Sequence, residues 1–305
     1  MALKLKIIMN PSSGREQGRL NIEDMLAYLV SQRELERADI HYTQGRFDAT
    51  KYARETKNGE YDYVIAVGGD GTVNEVVTGL LEGNVDVPLA IYTSGTVNDF
   101  ATVNKLPSQP SDFARMLINP ELKKVDCGKA GDSYFLNVLA GGVMTDVAYK
   151  VPSNLKTALG PAAYWMSAIK EIPSITDTIQ LHVKTDDGEY DAEAVMFLLS
   201  NTQSVGGFRK LVNRADIADG KLDLFVLKKF NMPSLIPMLG SLMVGDITNN
   251  NNILYLQSNS FELSVTDGKK VTLDLDGEEG PDLPCRIECI PNAITLVVPG
   301  EESSL

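Results

Sequence analysis

The sequence predicts an α/β domain followed by a β-rich domain, and three observations lead to this fold class. The first 120 residues alternate apolar, strand-like runs with helical patterns, which is typical of an open, mostly parallel sheet. The pattern changes near residue 121, and from residue 175 onward short strands separated by turn residues favour a β-sandwich. The predicted domains are therefore residues 1–125 and residues 126–290, with residues 291–305 packing back on the first domain.

The N-terminal elements are predicted from their apolar spacing. Strands are predicted at Leu3–Met9, Ile40–Thr43, Tyr63–Val67 and Leu89–Tyr92. Helices are predicted around residues 22–29, 48–57, 72–82 and 111–118. Ser111 is the expected N-cap of the last helix, and Pro120 lies just beyond its end. Ligands of such sheets bind outside the carboxyl ends of the strands, so the turns after these strands are where we expect a site.

The second half of the chain is predicted to consist mainly of strands. Two apolar strands are predicted within residues 122–140, and a helix within residues 155–169. Asp186-Asp187-Gly188 and Asp267-Gly268 mark tight turns. Further strands are predicted at Ile179–Val183, Ala194–Leu199, Leu222–Leu227, Leu254–Leu256, Phe261–Val265, Val271–Leu275, Cys285–Ile290 and Ala293–Val298. The methionine-rich segment Met232–Val244 is interpreted as a core helix, and the alternatives are a flexible wall for an acyl chain or a lip on a membrane surface.

Composition excludes several classes of function. The chain has 305 residues, with 28 Lys and Arg against 41 Asp and Glu and a formal charge of −13, which argues against nucleic-acid binding. No apolar run approaches the ~20 residues needed to cross a bilayer, and the N-terminus lacks a signal-peptide core. Three irregularly spaced cysteines predict reduced thiols and a cytoplasmic protein. Two histidines leave little room for a histidine-based triad or a zinc site, so carboxylates have to carry the chemistry.

The stretch of residues 64–75 is the most informative part of the chain. The apolar run Val64–Val67 predicts a buried strand, and Gly68, Gly69 and Gly71 then remove side chains from the turn into a helix. The bare N–H groups at such a helix start suit a phosphate group. Asp70 adds a carboxylate that makes best sense facing a metal ion or a hydroxyl. A plain tight turn is the alternative, but the position between strand and helix favours phosphate binding.

Three further turns follow predicted strands in the same way. They are residues 10–14, residues 93–100 and residues 125–128. Because the carboxyl ends of parallel strands meet at one edge of a sheet, their polar groups should converge with those of the glycine turn. This convergence would gather the hydroxyls of Ser12, Ser13, Thr72 and Thr96 and the carboxylates of Asp70, Asp99 and Asp126.

Five motifs in order resemble the diacylglycerol kinase catalytic-domain family, and most closely its bacterial soluble lipid kinases. They are Asn-Pro-x-Ser-Gly from residue 10, Gly-Gly-Asp-Gly-Thr-x-Asn-Glu from residue 68, Gly-Thr-x-Asn-Asp-Phe-Ala from residue 95, Ala-Asp-Gly-Lys-Leu-Asp from residue 218 and Asp-Gly-Glu from residue 276. The resemblance implies a nucleotide-binding domain and a β-sandwich with a cleft between them. It also implies ATP-dependent phosphate transfer to the hydroxyl of diacylglycerol or a related lipid.

The resemblance assigns roles residue by residue. It implies nucleotide binding by Asn10, Pro11, Ser12, Ser13, Gly14, Arg15, Thr43, Gly69, Asp70, Gly71, Thr72, Val73, Asn74, Glu75 and Thr96. It implies an active-site Mg²⁺ held, partly through water, by Asp70, Asp99 and Asp126. It implies a second, structural Mg²⁺ held by Asp216, Asp219 and the backbone carbonyl of Lys221. Glu278 would be the general base for the lipid hydroxyl, with Asp276 beside it.

Physical chemistry fits these roles. The chain has no Gly-x-x-x-x-Gly-Lys-Ser/Thr loop, so backbone amides and Mg²⁺ would have to offset the phosphate charge. A lipid hydroxyl is a weak nucleophile, which makes a carboxylate base plausible. The chain departs from the family at Thr93, where proline is usual, and at Thr102, where arginine is usual. The second departure bears on the choice of acceptor and on phosphate binding.

Alternatives remain open on the residues alone. An NAD kinase shares Gly-Gly-Asp-Gly, and a non-catalytic nucleotide-binding regulator would need no positioned base. Locally, Asp99 could cap a helix, and Asp219-Gly220 and Asp276-Gly277 could be simple turns. For a lipid kinase, the expected partner is a lipid at the inner face of the membrane, visited transiently from the cytoplasm. A homodimer is left open.

Overall fold

The computed structural model describes residues 2–13, 16–93, 99–142, 177–202, 216–230 and 250–300. The chain divides into two compact units. Unit 1 contains Met1–Asp126 and Asn292–Leu305, and unit 2 contains Cys127–Pro291. The predicted class, α/β followed by β, is confirmed. The predicted helices at 155–169 and 232–244 lie outside the described residues.

Unit 1 is an α/β unit whose strands β1 to β4 pair in parallel. Its elements are β1 Leu3–Met9, α1 Glu16–Ser31, β2 Leu35–Tyr42, α2 Asp48–Arg54, β3 Tyr63–Gly68, α3 Asp70–Glu82, β4 Leu89–Thr93, α4 Asp99–Val103, α5 Pro110–Ile118 and the first part of β5 Pro120–Ala130. The strand order is β4-β3-β1-β2, so β2 is the outer strand. Ile7, Ile65 and Ala90 are fully buried, as expected for central strands covered on both faces.

Unit 2 is built from antiparallel pairs. It contains the end of β5, then β6 Ser133–Phe135, β7 Val138–Gly142, β8 Ile179–Thr185, β9 Gly188–Ser200, β10 Leu222–Lys228, β11 Ile253–Ser258, β12 Ser260–Val265, β13 Thr272–Leu275, β14 Glu278–Asp282 and the first part of β15 Cys285–Pro299. Within the unit the order is β14-β13-β7-β9-β8-β12-β15, with β10 and β11 attached to β9. Alternate residues such as Leu181, Val183 and Phe197 enter one apolar core.

Several predicted boundaries differ from the structure for identifiable reasons. Ser111 does not cap α5, because Pro110 occupies the first helical position and Gln109 is the N-cap. β2 begins at Leu35 rather than at residue 40, since pairing with β1 extends it. β14 was not expected from Glu-Glu-Gly-Pro-Asp, a sequence with low strand propensity that pairing with β13 holds extended.

Two other features bear on the predictions. The two strands predicted at the C-terminus form a single strand, β15. Across the described residues, no helix has the length and apolar content needed to span a bilayer.

Candidate active site

The loop after β1 is organised by the side chain of Asn10. Its Oδ1 accepts the N–H of Ser12 at 2.9 Å, and the main-chain carbonyl of Asn10 accepts the hydroxyl of Ser13 at 2.9 Å. Its Nδ2 donates to the Thr72 hydroxyl at 3.2 Å, although 62 residues separate the two. The side chain of Asn10 therefore holds this loop against the first turn of α3.

The glycine turn before α3 has a steric and an electrostatic role. A Cβ on Gly68 would lie 2.5 Å from side-chain atoms of Thr72, so only glycine fits at the end of β3. Gly69 is the N-cap of α3 and has no side chain with which to cap it. A helix start without a side-chain cap suits an anion at the positive end of the helix dipole.

A cavity of about 370 Å³ opens beside this turn. Its lining comes from the carboxyl ends of β1, β2 and β3, from the following loop and from the start of α1: Met9, Asn10, Pro11, Ser13, Gly18, Arg19, Tyr42 and Val67. The size suits a small organic ligand. Tyr42 and Arg19 were missed by the sequence reasoning. The position of Tyr42 directly before Thr43, at the end of a strand, was the available signal.

Glu75, at the end of the glycine motif, contacts main chain. Its carboxylate accepts the N–H of Phe47 at 3.1 Å and that of Ala49 at 3.2 Å, at the start of α2. Asp48 accepts the N–H groups of two loop residues, Gln44 and Gly45, at 2.7 and 2.9 Å. Phe47 has a φ of 69°, a left-handed conformation that is unfavourable for a bulky residue, and these carboxylates hold the loop around it. Glu75 therefore positions the segment that follows Thr43.

The carboxylates predicted to hold Mg²⁺ in unit 1 have different surroundings. Asp70 lies in the first turn of α3. Asp126 is 1% exposed, and its Oδ1 accepts the N–H of Asn292 at 2.7 Å. The backbone of Asp99 begins α4, but its side chain is outside the described set, as are Gly14, Arg15 and Thr96.

These surroundings still permit a nucleotide-bound Mg²⁺. No group of three Asp, Glu, His or Cys side chains forms a cage within the described ranges. A Mg²⁺ bound with a nucleotide does not need one, because one or two carboxylates, phosphate oxygens and water usually complete its shell. Asp70 in the first turn of α3 fits this pattern.

The turn of residues 216–221 in unit 2 is closed by its own aspartates. Asp216 Oδ1 accepts the N–H of Ala218 at 3.1 Å, and Asp219 Oδ1 accepts that of Lys221 at 3.0 Å. Gly220 has a φ of 73°, which glycine adopts without strain. The turn predicted for Asp219-Gly220 is therefore present. The second Mg²⁺ at this turn remains a prediction.

Asp223 is a buried carboxyl that the sequence reasoning did not single out. It is 1% exposed and accepts hydrogen bonds from the hydroxyl of Tyr255 and, at 3.4 Å, from Nε2 of Gln257. Burial raises its pKa above the ordinary value, and the charge of Asp219 raises it further against the lowering effect of these two donors. An aspartate inside the apolar run Leu222–Leu227 was the available signal.

The Asp-Gly-Glu motif forms the turn between β13 and β14. Leu275 pairs with Glu278, so Asp276 and Gly277 make a two-residue hairpin turn. The Asp276 carboxylate accepts main-chain N–H groups from residues 136–138 at 2.6 to 2.9 Å. Glu278 is the exposed first residue of β14.

Comparisons with known proteins define the class of this chain. Residues 4–130 match the family model "Diacylglycerol kinase catalytic domain", and residues 137–298 match "YegS C-terminal NAD kinase beta sandwich-like domain". The chain thus belongs to a two-domain class with a kinase catalytic domain and an NAD-kinase-like sandwich. More particularly, the chain belongs to the diacylglycerol kinase family.

Relatives match over nearly the whole length. The diacylglycerol kinase of Bacillus subtilis (strain 168) is 35% identical over 305 residues, covering 98% of each chain. One from Staphylococcus epidermidis is 34% identical, covering 98% of this chain and 93% of the relative. A crystal structure of a diacylglycerol kinase from Bacillus anthracis str. Sterne aligns with a TM-score of 0.79 and 28% identity, covering 98% of both chains. A second crystal structure from that organism aligns with a TM-score of 0.84 and 27% identity, covering 98% of this chain and 97% of the other.

Proposed function

We propose that this protein is an ATP-dependent lipid kinase that phosphorylates the hydroxyl of diacylglycerol or a related lipid alcohol. The observation that carries the proposal is the glycine-capped start of α3, held by Asn10, in a chain 35% identical to a named diacylglycerol kinase over its full length. The helix start accounts for phosphate binding. The relatives' names supply the acceptor class.

In this proposal, unit 1 binds the nucleotide. The turn of residues 69–72 and the Asn10 loop hold the phosphates with backbone N–H and hydroxyl groups, and the cavity lined by Tyr42 receives the rest of the nucleotide. Asp70, Asp99 and Asp126 are the proposed Mg²⁺ carboxylates. When bound, Mg²⁺ would offset the charge of the phosphates. Asp216, Asp219 and the Lys221 carbonyl are proposed to hold a structural Mg²⁺ in unit 2.

Glu278 of unit 2 is the proposed general base. Its carboxylate takes the proton from the lipid hydroxyl while the hydroxyl oxygen bonds to the γ-phosphorus of ATP. The bond from that phosphorus to the β–γ bridging oxygen breaks, and ADP leaves with the electron pair. An exposed carboxylate at the start of a strand is accessible to an acceptor that arrives from outside.

The test is phosphate transfer from γ-labelled ATP with Mg²⁺ to diacylglycerol, to other lipid alcohols in mixed micelles, and to NAD. Labelled lipid product is the expected result. Transfer to NAD alone would establish the NAD kinase alternative. Tight ATP binding without transfer to any acceptor would establish the regulatory alternative.

We further propose that the protein acts from the cytoplasm at the inner face of the membrane, because a diacylglycerol-type acceptor resides in a bilayer. Vesicle flotation measures this directly. The protein should float with diacylglycerol-containing vesicles in the presence of Mg²⁺ and ATP, and recovery only in the bottom fraction contradicts the proposal.

A further inference from the structure

We infer that Asp276 is a positioning residue for Glu278 and takes no part itself in proton transfer. The inference rests on the proposed function, in which Glu278 is the base. It assigns Asp276 the task of fixing the hairpin turn that precedes Glu278 onto the buried segment of residues 136–138, through its side-chain carboxylate.

The conformation of the turn explains why it needs fixing. Asp276 and Gly277 have φ values of 53° and 91°, the left-handed conformations of a two-residue hairpin turn. Asparagine, aspartate and glycine tolerate this conformation best, which accounts for Asp-Gly here. Within the described residues, β14 is the outermost strand and pairs only with β13, so neighbouring strands constrain it on one side alone.

The carboxylate of Asp276 is committed to main-chain donors. Its Oδ2 accepts the N–H of Leu136 at 2.6 Å, and its Oδ1 accepts those of Asn137 and Val138 at 2.9 Å each. In return, the N–H of Asp276 donates to the carbonyl of Val138 at 2.9 Å. A carboxylate has about four lone-pair sites, and three are already used. Such a group is a poor acceptor for the proton of a substrate.

The segment that supplies the donors is itself fixed. Leu136 is 1% exposed and Asn137 is 7% exposed. Asn201, at the end of β9, donates its Nδ2 to the carbonyl of Leu136 at 3.0 Å and its N–H to the carbonyl of Asn137 at 2.9 Å. Because both sides of this segment are hydrogen-bonded, it is a rigid reference on which Asp276 sets the position of Glu278.

The kinetic test compares Asp276→Asn, Glu278→Gln and the double variant. An amide at residue 276 keeps an acceptor for two of the donors but turns an N–H₂ toward the N–H of Leu136. We expect kcat to fall about 10²-fold, as for a misplaced catalytic group, with an unchanged KM for ATP. The double variant should be no slower than Glu278→Gln alone, since a positioning residue acts through the base. A further loss in the double variant overturns the inference.

The second measurement does not depend on activity. Hydrogen exchange of the peptide that covers residues 134–141 should accelerate in Asp276→Asn, and more in Asp276→Ala if that variant folds. The matched control is Asp282→Asn, at the other end of β14, which loses only side-chain partners such as Thr272. Its exchange in this peptide and its kcat should match those of the native protein.

The outcomes separate this inference from the proposed function. Unchanged exchange in both Asp276 variants overturns the positioning role, whatever the activity. If the native protein phosphorylates no acceptor, the proposed function fails and the positioning of a base fails with it. Exchange then still decides whether Asp276 fixes the turn.

Discussion

Glu75 in unit 1 and Asp276 in unit 2 have the same structural role in different surroundings. Each belongs to a signature motif, and each carboxylate holds main-chain N–H groups of a distant segment. Glu75 holds the start of α2 at Phe47, which is 62% exposed, and at Ala49, which is 1% exposed. Asp276 holds Leu136 and Asn137, which are 1% and 7% exposed, and Val138. Water can replace a carboxylate at an exposed residue such as Phe47 but not at a buried residue such as Leu136. The number of buried donors, one for Glu75 and two for Asp276, rather than the type of acceptor, therefore decides how much each motif residue matters to the fold.

The largest expected effect is the loss of activity when the proposed base, Glu278, is replaced. Glu278→Gln should lower kcat by about 10²–10⁴-fold, the usual loss for a general base, with an unchanged midpoint of thermal unfolding. Glu279→Gln is the matched control, since the next side chain on a strand points to the opposite face. Equal activity of the two variants in the labelled-ATP assay would remove Glu278 from the mechanism.

Asp276→Ala tests the buried half of the comparison. It leaves three N–H groups without their acceptor, two of them on residues almost fully buried. We expect the free energy of unfolding to fall by about 3 kcal/mol, measured by urea denaturation. If Asp276→Ala lowers the free energy of unfolding by less than Glu75→Ala does, burial of the donors does not determine the loss of stability.

Gly68→Ala tests the packing of the glycine turn in unit 1. The added Cβ would lie 2.5 Å from the Thr72 side chain, which is 7% exposed and has little room to move. We expect a loss of about 2 kcal/mol in stability and weaker ATP binding by calorimetry. Gly45→Ala, where no atom lies within 4 Å of the added carbon, is the control and should bind ATP normally.

Glu75→Ala tests the more exposed half of the comparison. The N–H groups of Phe47 and Ala49 lose their acceptor, but only Ala49 is buried, and Asp48 still holds the preceding loop. We expect a loss of about 1 kcal/mol, typical of a lost helix cap. Urea denaturation beside Asp276→Ala provides the direct comparison.

The smallest expected effect is a pH dependence of stability at Tyr61, which donates to Asp39 in the outer strand β2, away from both motifs. Burial, followed by the hydrogen bond to Asp39, raises the pKa of Tyr61 to about 12 from the usual 10. Because the pKa is raised, Tyr61 stays protonated to higher pH in the folded state than in the unfolded state. Its contribution to the free energy of unfolding is therefore complete below pH 10 and is lost as the pH rises through about 12. Between pH 10 and about 12, the midpoint of thermal unfolding should therefore fall less steeply with pH in Tyr61→Phe than in the native protein. Parallel curves of midpoint against pH for the two proteins would contradict this.

The sequence was sufficient for the parts of the fold that local patterns encode. Val64–Val67 predicted a buried central strand because no polar residue interrupts it, and that strand is fully buried. The Gly68–Thr72 turn was predicted from its glycines in the same way. β14 could not be predicted, since Glu-Glu-Gly-Pro-Asp is extended only through pairing with β13. Ser111 was misplaced because the adjacent Pro110 competes for the helix start.

The carboxylates show where sequence reasoning ends. Asp276 and Glu75 were recognised as motif residues, but their partners lie at least 26 residues away and are backbone groups without a side-chain signature. Asp223 closes the Ala-Asp-Gly-Lys-Leu-Asp motif, but its burial depends on strands β9 and β11 on either side of β10. Tertiary pairing, which a single sequence does not encode locally, decides all three.

The contact between Asp276 and the start of β7 also constrains the order of events during biosynthesis. The two partners are up to 140 residues apart, so the turn cannot close until every residue from 136 to 276 has left the ribosome. A nascent chain can form the glycine turn before α3 earlier, yet it completes the Asp-Gly-Glu corner only after residue 276 has emerged. The proposed base Glu278 would then take its place after the proposed phosphate-binding turn has formed.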